Sequence, residues 1–194
     1  MCESILAGMV IAISATVSLC CVSKVVGALL FSLGLTLILV LELKLYTGKI
    51  GYLTKFREVP ILIGYLFFNV LGAMLFKVLL FYSNPDIFEL SLAVTQAKMS
   101  TGIIEMFLRA IPCGALMYMG VESYKRTKNI ILPMLCVTVF IVSGYEHCIV
   151  LGFYAPFSLQ FVSAVFGNSV GSILTRLLVY GGESNAKERE NPDS

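Results

Sequence analysis

The chain carries six apolar runs of membrane-spanning length, over about residues 5–22, 25–45, 60–82, 101–121, 130–155 and 158–180. The hydrocarbon core of a bilayer takes about 20 consecutive apolar residues of helix. Within it every backbone N–H and C=O has to be paired inside the protein, so only helices and closed barrels span. Runs of this length predict helices. Mean hydropathy is +0.89 and 13% of the residues are charged, where about 25% is usual for a soluble domain. The expected fold class is an all-α membrane protein of six transmembrane helices. It forms one channel-sized domain over 1–180, and a polar stretch over 181–194 is expected to be a disordered tail. The first run has no basic stretch ahead of it and no small-residue cleavage site. It reads as a retained span rather than a signal peptide.

Charge placement gives the orientation. Lys49, Lys55 and Arg57 lie between the second and third runs, and Lys125, Arg126 and Lys128 between the fourth and fifth. Arg176, Lys187 and Arg189 close the chain, while the opposite loops hold only Lys24 and Lys98. Lys and Arg accumulate on the cytoplasmic side, so both termini are expected there; the expected location is an inner membrane of prokaryotic type. Of the three cations inside runs, Lys77 is near enough to a span end to snorkel. Arg109 follows Glu105 by four residues, the spacing of a pair on one helix face. Lys44, with Glu42, stands before an expected break.

Short matches recur at an offset of 99 residues. Phe68-Asn69-Val70-Leu71-Gly72 and Gly167-Asn168-Ser169-Val170-Gly171 both read Asn-x-x-Gly, and Tyr46-Thr47-Gly48 falls opposite Tyr145-Glu146-His147. Three spans repeated as three spans, about 1–82 and 98–180, give two halves of opposite orientation. This is the inverted-repeat plan of many channels and transporters, with discontinuous helices at the transport site. The break in the second span is expected near Gly48 and that in the fifth at Gly144, because glycine readily takes helix-ending conformations. Asn69 and Asn168 are expected to hydrogen-bond across helices. The paired small residues, such as Gly8 and Gly72, suit close helix approach.

His147 is the one histidine in the chain, and Glu146 stands beside it. An ionisable group inside a span is a candidate functional group; the plainer reading is a hydrogen-bonded core residue. A zinc peptidase needs two histidines on one helix face, and no serine–histidine–aspartate set is evident, so an enzyme is not expected. The six cysteines form no C-x-x-C pair. They read as packing side chains, with no metal site and no cofactor expected. Nucleic acid is not an expected partner. An aquaporin-like channel for small neutral solutes is the alternative class, although its paired Asn-Pro-Ala motifs are absent. A scaffold with a closed pore is a third reading.

The segments "LAGMVIAIS" (6–14), "GALLFSLGLTLILVLELKLYTGK" (27–49), "FNVLGAML" (68–75), "KMSTGIIEMFLRAIPCG" (98–114), "FIVSGYEHCIV" (140–150) and "FGNSVGS" (166–172) together resemble the formate/nitrite transporter family. The resemblance covers nearly the whole chain. It implies an aquaporin-like protomer with broken second and fifth spans, assembled as a homopentamer in the lipid bilayer, each protomer with its own pore for small monovalent anions. By position it implies that Leu35 forms the cytoplasmic-side constriction, and that Leu45 and Phe140 form the extracellular-side one. Thr47 then sits on the loop breaking span two, His147 faces the pore between the constrictions, Glu146 supports the broken helix, and Lys98 stands in the outer vestibule. The chain departs from the family at Gly114 and Leu151, where asparagine is usual, and at Glu42 and Lys44, where glycine and an acidic residue are usual.

The chemistry fits these residues. An anion entering a dry apolar ring loses its hydration at an idealised cost of tens of kcal/mol, and protonating a weak acid removes most of it. Histidine titrates near physiological pH. His147 is therefore expected to couple permeation to protons, with Lys98 concentrating anions outside.

Overall fold

The computed structural model describes residues 1–190, with side chains described as far as position 181. Among these residues there are eight α-helices and no strand: α1 (Cys2–Leu19), α2 (Lys24–Val40), α3 (Val59–Ser83), α4 (Pro85–Met99), α5 (Ile103–Thr127), α6 (Ile131–Val142), α7 (Cys148–Tyr154) and α8 (Leu159–Glu190). Four stretches are long and apolar enough to cross a membrane, namely Cys2–Leu19, Phe56–Ser83, Ile103–Thr127 and Leu159–Gly181. Two further apolar helices, Lys24–Val40 and Ile131–Val142, are shorter. The regions drawn from the sequence as spans 25–45 and 130–155 are not single helices: α2 stops at Val40, and α6 and α7 divide the second.

Two segments differ from the sequence expectation. The stretch that reads as a loop carrying Lys98 is the helix α4. Asn84 caps it by accepting from the Ile87 N–H, and Pro85 occupies the first turn, where a missing N–H does no harm. Its charged residues Asp86, Glu89 and Lys98 hide it from a hydropathy reading. At the other end, α8 continues to Glu190, through most of the stretch expected to be a disordered tail. Ala186, Lys187, Glu188, Arg189 and Glu190 are all strong helix formers. Residues 191–194 lie outside the described residues.

Two helix pairs hold the bundle together, α1 against α3 and α5 against α8. Their backbones touch. A Cβ at Gly8 would collide with the Asn69 carbonyl, and one at Gly72 with that of Ile5. In the second pair, a Cβ at Gly114 would collide with the Asn168 carbonyl and one at Gly171 with that of Ile111. This explains Gly114: no larger residue fits there without parting α5 from α8.

The ends of α2 and α6 share one hydrogen-bond pattern. After α2, the Leu43 N–H reaches the Ile38 carbonyl at 2.9 Å and the Glu42 N–H reaches Leu39 at 3.3 Å. After α6, the Tyr145 N–H reaches Phe140 at 2.9 Å and the Gly144 N–H reaches Ile141 at 3.1 Å. This is the Schellman closure, which sets one residue in the left-handed region. Those residues are Glu42, at φ 54°, and Gly144, at φ 73°. Gly144 therefore occupies a position that asks for glycine. Gly48 does not, and the first helix end lies six residues earlier than expected, at Glu42. The correspondence between the two ends is 102 residues, not the 99 that relates Asn69 to Asn168. Leu45, rather than Gly48, is the counterpart of His147.

A non-glycine residue in this conformation costs about 1–2 kcal/mol. Glu42→Gly is expected to raise the stability of the purified protein by up to about 1 kcal/mol once the greater freedom of the unfolded glycine is counted. Gly144→Ala is expected to lower it by about 1 kcal/mol, although an added Cβ there meets nothing within 4 Å. Apparent Tm in detergent would read both; equal shifts of one sign would contradict the shared closure.

Candidate functional site

The backbone beyond each closure is non-helical, and two buried amides tie it down. Asn69 Oδ1 accepts from the Tyr46 N–H at 2.8 Å, and its Nδ2 donates to the carbonyls of Ser4 at 2.7 Å and Lys44 at 2.9 Å. Asn168 Oδ1 accepts from the Cys148 N–H at 2.8 Å, and its Nδ2 donates to Ala110 and Glu146 carbonyls, both at 2.8 Å. Each amide thus satisfies two groups of the irregular segment that would otherwise be unpaired, at about 1–3 kcal/mol apiece, and ties them to a carbonyl of a neighbouring helix. Both asparagines are 0% exposed. They position the site and do not face it.

Two cavities lie at opposite ends of the antiparallel α2 and α6. The first, of ≈ 250 Å³, is lined by Leu35, Glu42, Lys44, Leu45, Gly48, Lys49, Lys125 and Lys128 among others. The second, of ≈ 180 Å³, is lined by residues including Phe31, Lys98, Phe140, Gly144, Glu146 and His147. Leu35 and Phe31 are one helical turn apart on α2, so about 6 Å of structure separates the two along that helix.

His147 lines the second cavity, and Thr47, which stands between Leu45 and Gly48 of the first, meets it from the other side. Thr47 Oγ1 and His147 Nε2 are 2.9 Å apart, with the two residues 1% and 3% exposed. His147 also caps α7: its Nδ1 accepts from the Val150 N–H at 3.4 Å. In the neutral ring Nδ1 is then the acceptor and Nε2 carries the hydrogen, directed at Thr47. The imidazole stacks on Phe140, with centroids 5.8 Å apart and planes at 13°. Phe140 in turn meets the edge of Phe31, at 6.2 Å.

The sequence residues sort by cavity. Leu45 stands with Leu35 on the first, whereas the resemblance put it with Phe140. The aromatic partner of Phe140 is Phe31, which sequence reasoning missed; the signal was its place one turn before Leu35 on the same helix face. Glu42 and Lys44 also belong to the first cavity. Lys44 Nζ is 3.6 Å from a Glu3 carboxylate oxygen and donates to the Glu42 carbonyl at 3.4 Å. Neither residue is bonded to His147 or Glu146. Leu151 is 0% exposed and packs in the core.

Lys98 is not a free charge. Its ammonium donates to both Glu146 oxygens, at 2.8 and 2.6 Å. This pair links α4 to the turn before His147. Lys77, expected to snorkel, instead donates to the Tyr154 carbonyl at 2.8 Å and closes the C-terminal end of α7. Glu105 and Arg109 pair on α5 as their spacing suggests.

The model of the family described as formate/nitrite transporter matches residues 1–182. The chain belongs to that family. It is an integral membrane protein of the anion transporter or channel class. Among solved structures it is similar to an FNT family ion channel, with TM-score 0.83 and 17% identity over 93% of this chain and 88% of that one. It is also similar to a pentameric formate channel with formate bound, with TM-score 0.75 and 19% identity over 94% of this chain and 93% of that one. At these identities the likeness is one of fold. Comparison with curated proteins finds no sequence match.

In this formate/nitrite transporter family member the Lys98–Glu146 pair is mostly buried. Removing one partner of a buried pair costs about 3–5 kcal/mol, because the other charge is left alone. Lys98→Gln and Glu146→Gln are each expected to destabilise by that order, and the double variant by clearly less than their sum. Thermal unfolding in detergent checks this; additive losses would mean the two side chains act independently.

Proposed function

We propose that the protein is a transmembrane channel or transporter for small monovalent weak-acid anions, with formate, nitrite and hydrosulfide as the candidate substrates, and that His147 couples permeation to protons. The observation that carries this is the buried Thr47–His147 pair, with His147 lining the second cavity and Thr47 lying in the segment that lines the first. Apolar side chains flank the pair on each side, Leu35 and Leu45 toward the first cavity, Phe31 and Phe140 toward the second. A route through them offers an anion the Nε2–H and the Thr47 hydroxyl as donors in an otherwise apolar passage.

The matching Schellman closures and the matching asparagine triads support an inverted repeat of three spans, each half with a discontinuous second span. In that arrangement α2 with residues 41–49, and α6 with residues 143–147 and α7, are the second and fifth crossings. The Lys and Arg of residues 49–57 and 125–128 favour a cytoplasmic side for the first cavity and both termini. The pentameric relative favours a homopentamer in the bilayer.

The ring geometry narrows the proton step. A permeating oxyanion can take the place of Thr47 as acceptor from Nε2–H. Full transfer needs an imidazolium, and a proton on Nδ1 breaks the bond from Val150 N–H, a loss of about 1 kcal/mol. The charge of the arriving anion offsets it.

Formate flux into proteoliposomes is expected to rise as pH falls from 8 to 5, since protons supply the neutral acid. His147→Asn is expected to lower flux at pH 5 by about 100-fold, the usual worth of a positioned proton donor, and to flatten the profile. Wild-type flux and pH dependence in the variant would sink the proton role.

A further inference from the structure

The two cavities differ in charge. In the second, the lysine and the glutamate neutralise one another. In the first, four lysines and one glutamate share the lining. Lys44 has the Glu3 carboxylate at 3.6 Å. Lys125 sits over the Tyr52 ring at 3.2 Å from its centroid, and Lys128 over Tyr124 at 5.4 Å. Aromatic faces orient these ammoniums without cancelling their charge. Four ammoniums share this cavity and are answered by three carboxylates, those of Glu3, Glu42 and Glu122, which leaves the lining cationic and open to an anionic partner.

A monovalent anion meets one or two of the four. A tetrahedral oxyanion presents several oxygens at once, and lysines bind such groups as point charges. The desolvation that confronts any ion at the Leu35–Leu45 ring rises steeply with charge, so an anion of two or more charges enters this mouth and does not pass.

We infer that the first cavity is a binding site for a multivalent phosphate-type oxyanion, held by Lys44, Lys49, Lys125 and Lys128, whose occupancy obstructs permeation. The binding half stands on the cavity alone; the obstruction rests on the channel reading above.

The test uses inorganic pyrophosphate and the full chain in phosphatidylcholine nanodiscs. Calorimetry is expected to show binding that weakens with salt, and by about tenfold or more in Lys49→Gln/Lys125→Gln. Lys49→Arg/Lys125→Arg is expected to retain it, which separates lost charge from a lost fold. In proteoliposomes, pyrophosphate on the side of this cavity is expected to cut formate flux in wild type and not in the glutamine variant. Absence of binding, or equal binding in the glutamine variant, overturns the site even if formate flows. Binding with no formate flux in any variant leaves the site standing and contradicts the channel reading instead. Stabilisation by phosphatidic-acid nanodiscs alone, with none by pyrophosphate, assigns the lysines to a lipid headgroup and overturns the soluble ligand.

Discussion

The structure depends on keeping the buried part of its non-helical backbone paired. Beyond Val40 and Val142 the chain leaves the helix inside apolar surroundings, and each exit frees backbone groups. Asn69 and Asn168 answer this with one side chain per half. Each accepts one N–H and donates to two carbonyls, joining the irregular segment to two flanking helices. The amide is suited to this because it carries both donors and an acceptor in one plane. The close glycine contacts of α1 with α3 and of α5 with α8 bring the helices near enough for so short a side chain to reach.

Thr47 and His147 follow from that anchoring. Thr47 is the residue after Tyr46, whose N–H is held by Asn69. His147 lies between Glu146 and Cys148, whose carbonyl and N–H are held by Asn168. The two side chains are thus placed by amides that do not line the cavities. The Lys98–Glu146 pair adds a third restraint on the turn before His147, from α4. Charge is distributed accordingly: neutralised beside His147, and cationic at the far mouth, where residues 42–49 meet the end of α5.

Much of this was legible in the sequence because hydropathy and turn chemistry are local. The long apolar helices, the glycine at 144, the two asparagines and the histidine with its glutamate all declare themselves by residue type and spacing. The six-residue error in placing the first helix end has a physical cause. Glu42 adopts a backbone conformation that normally belongs to glycine, so the nearest glycine, Gly48, drew the assignment instead. The 99-residue offset of the two asparagines hid the 102-residue correspondence of the two helix ends, and the resemblance grouped Leu45 with Phe140, whereas it lines the cavity of Leu35. α4 was hidden because its polar residues lower its hydropathy, although Asn84-Pro85 is a helix-start signal. The Lys98–Glu146 and Thr47–His147 pairs join residues 48 and 100 positions apart, and only the fold brings such residues together.

The claim at the centre is that the passage between the cavities carries anions and not neutral solutes. Stopped-flow swelling of proteoliposomes measures this directly, with matched gradients of formate and of a neutral osmolyte of similar size. Protein-dependent swelling in formate, with none above background in the neutral osmolyte, is the predicted result. Protein-dependent swelling in the neutral osmolyte, with none driven by formate, would contradict it and favour an aquaporin-like channel.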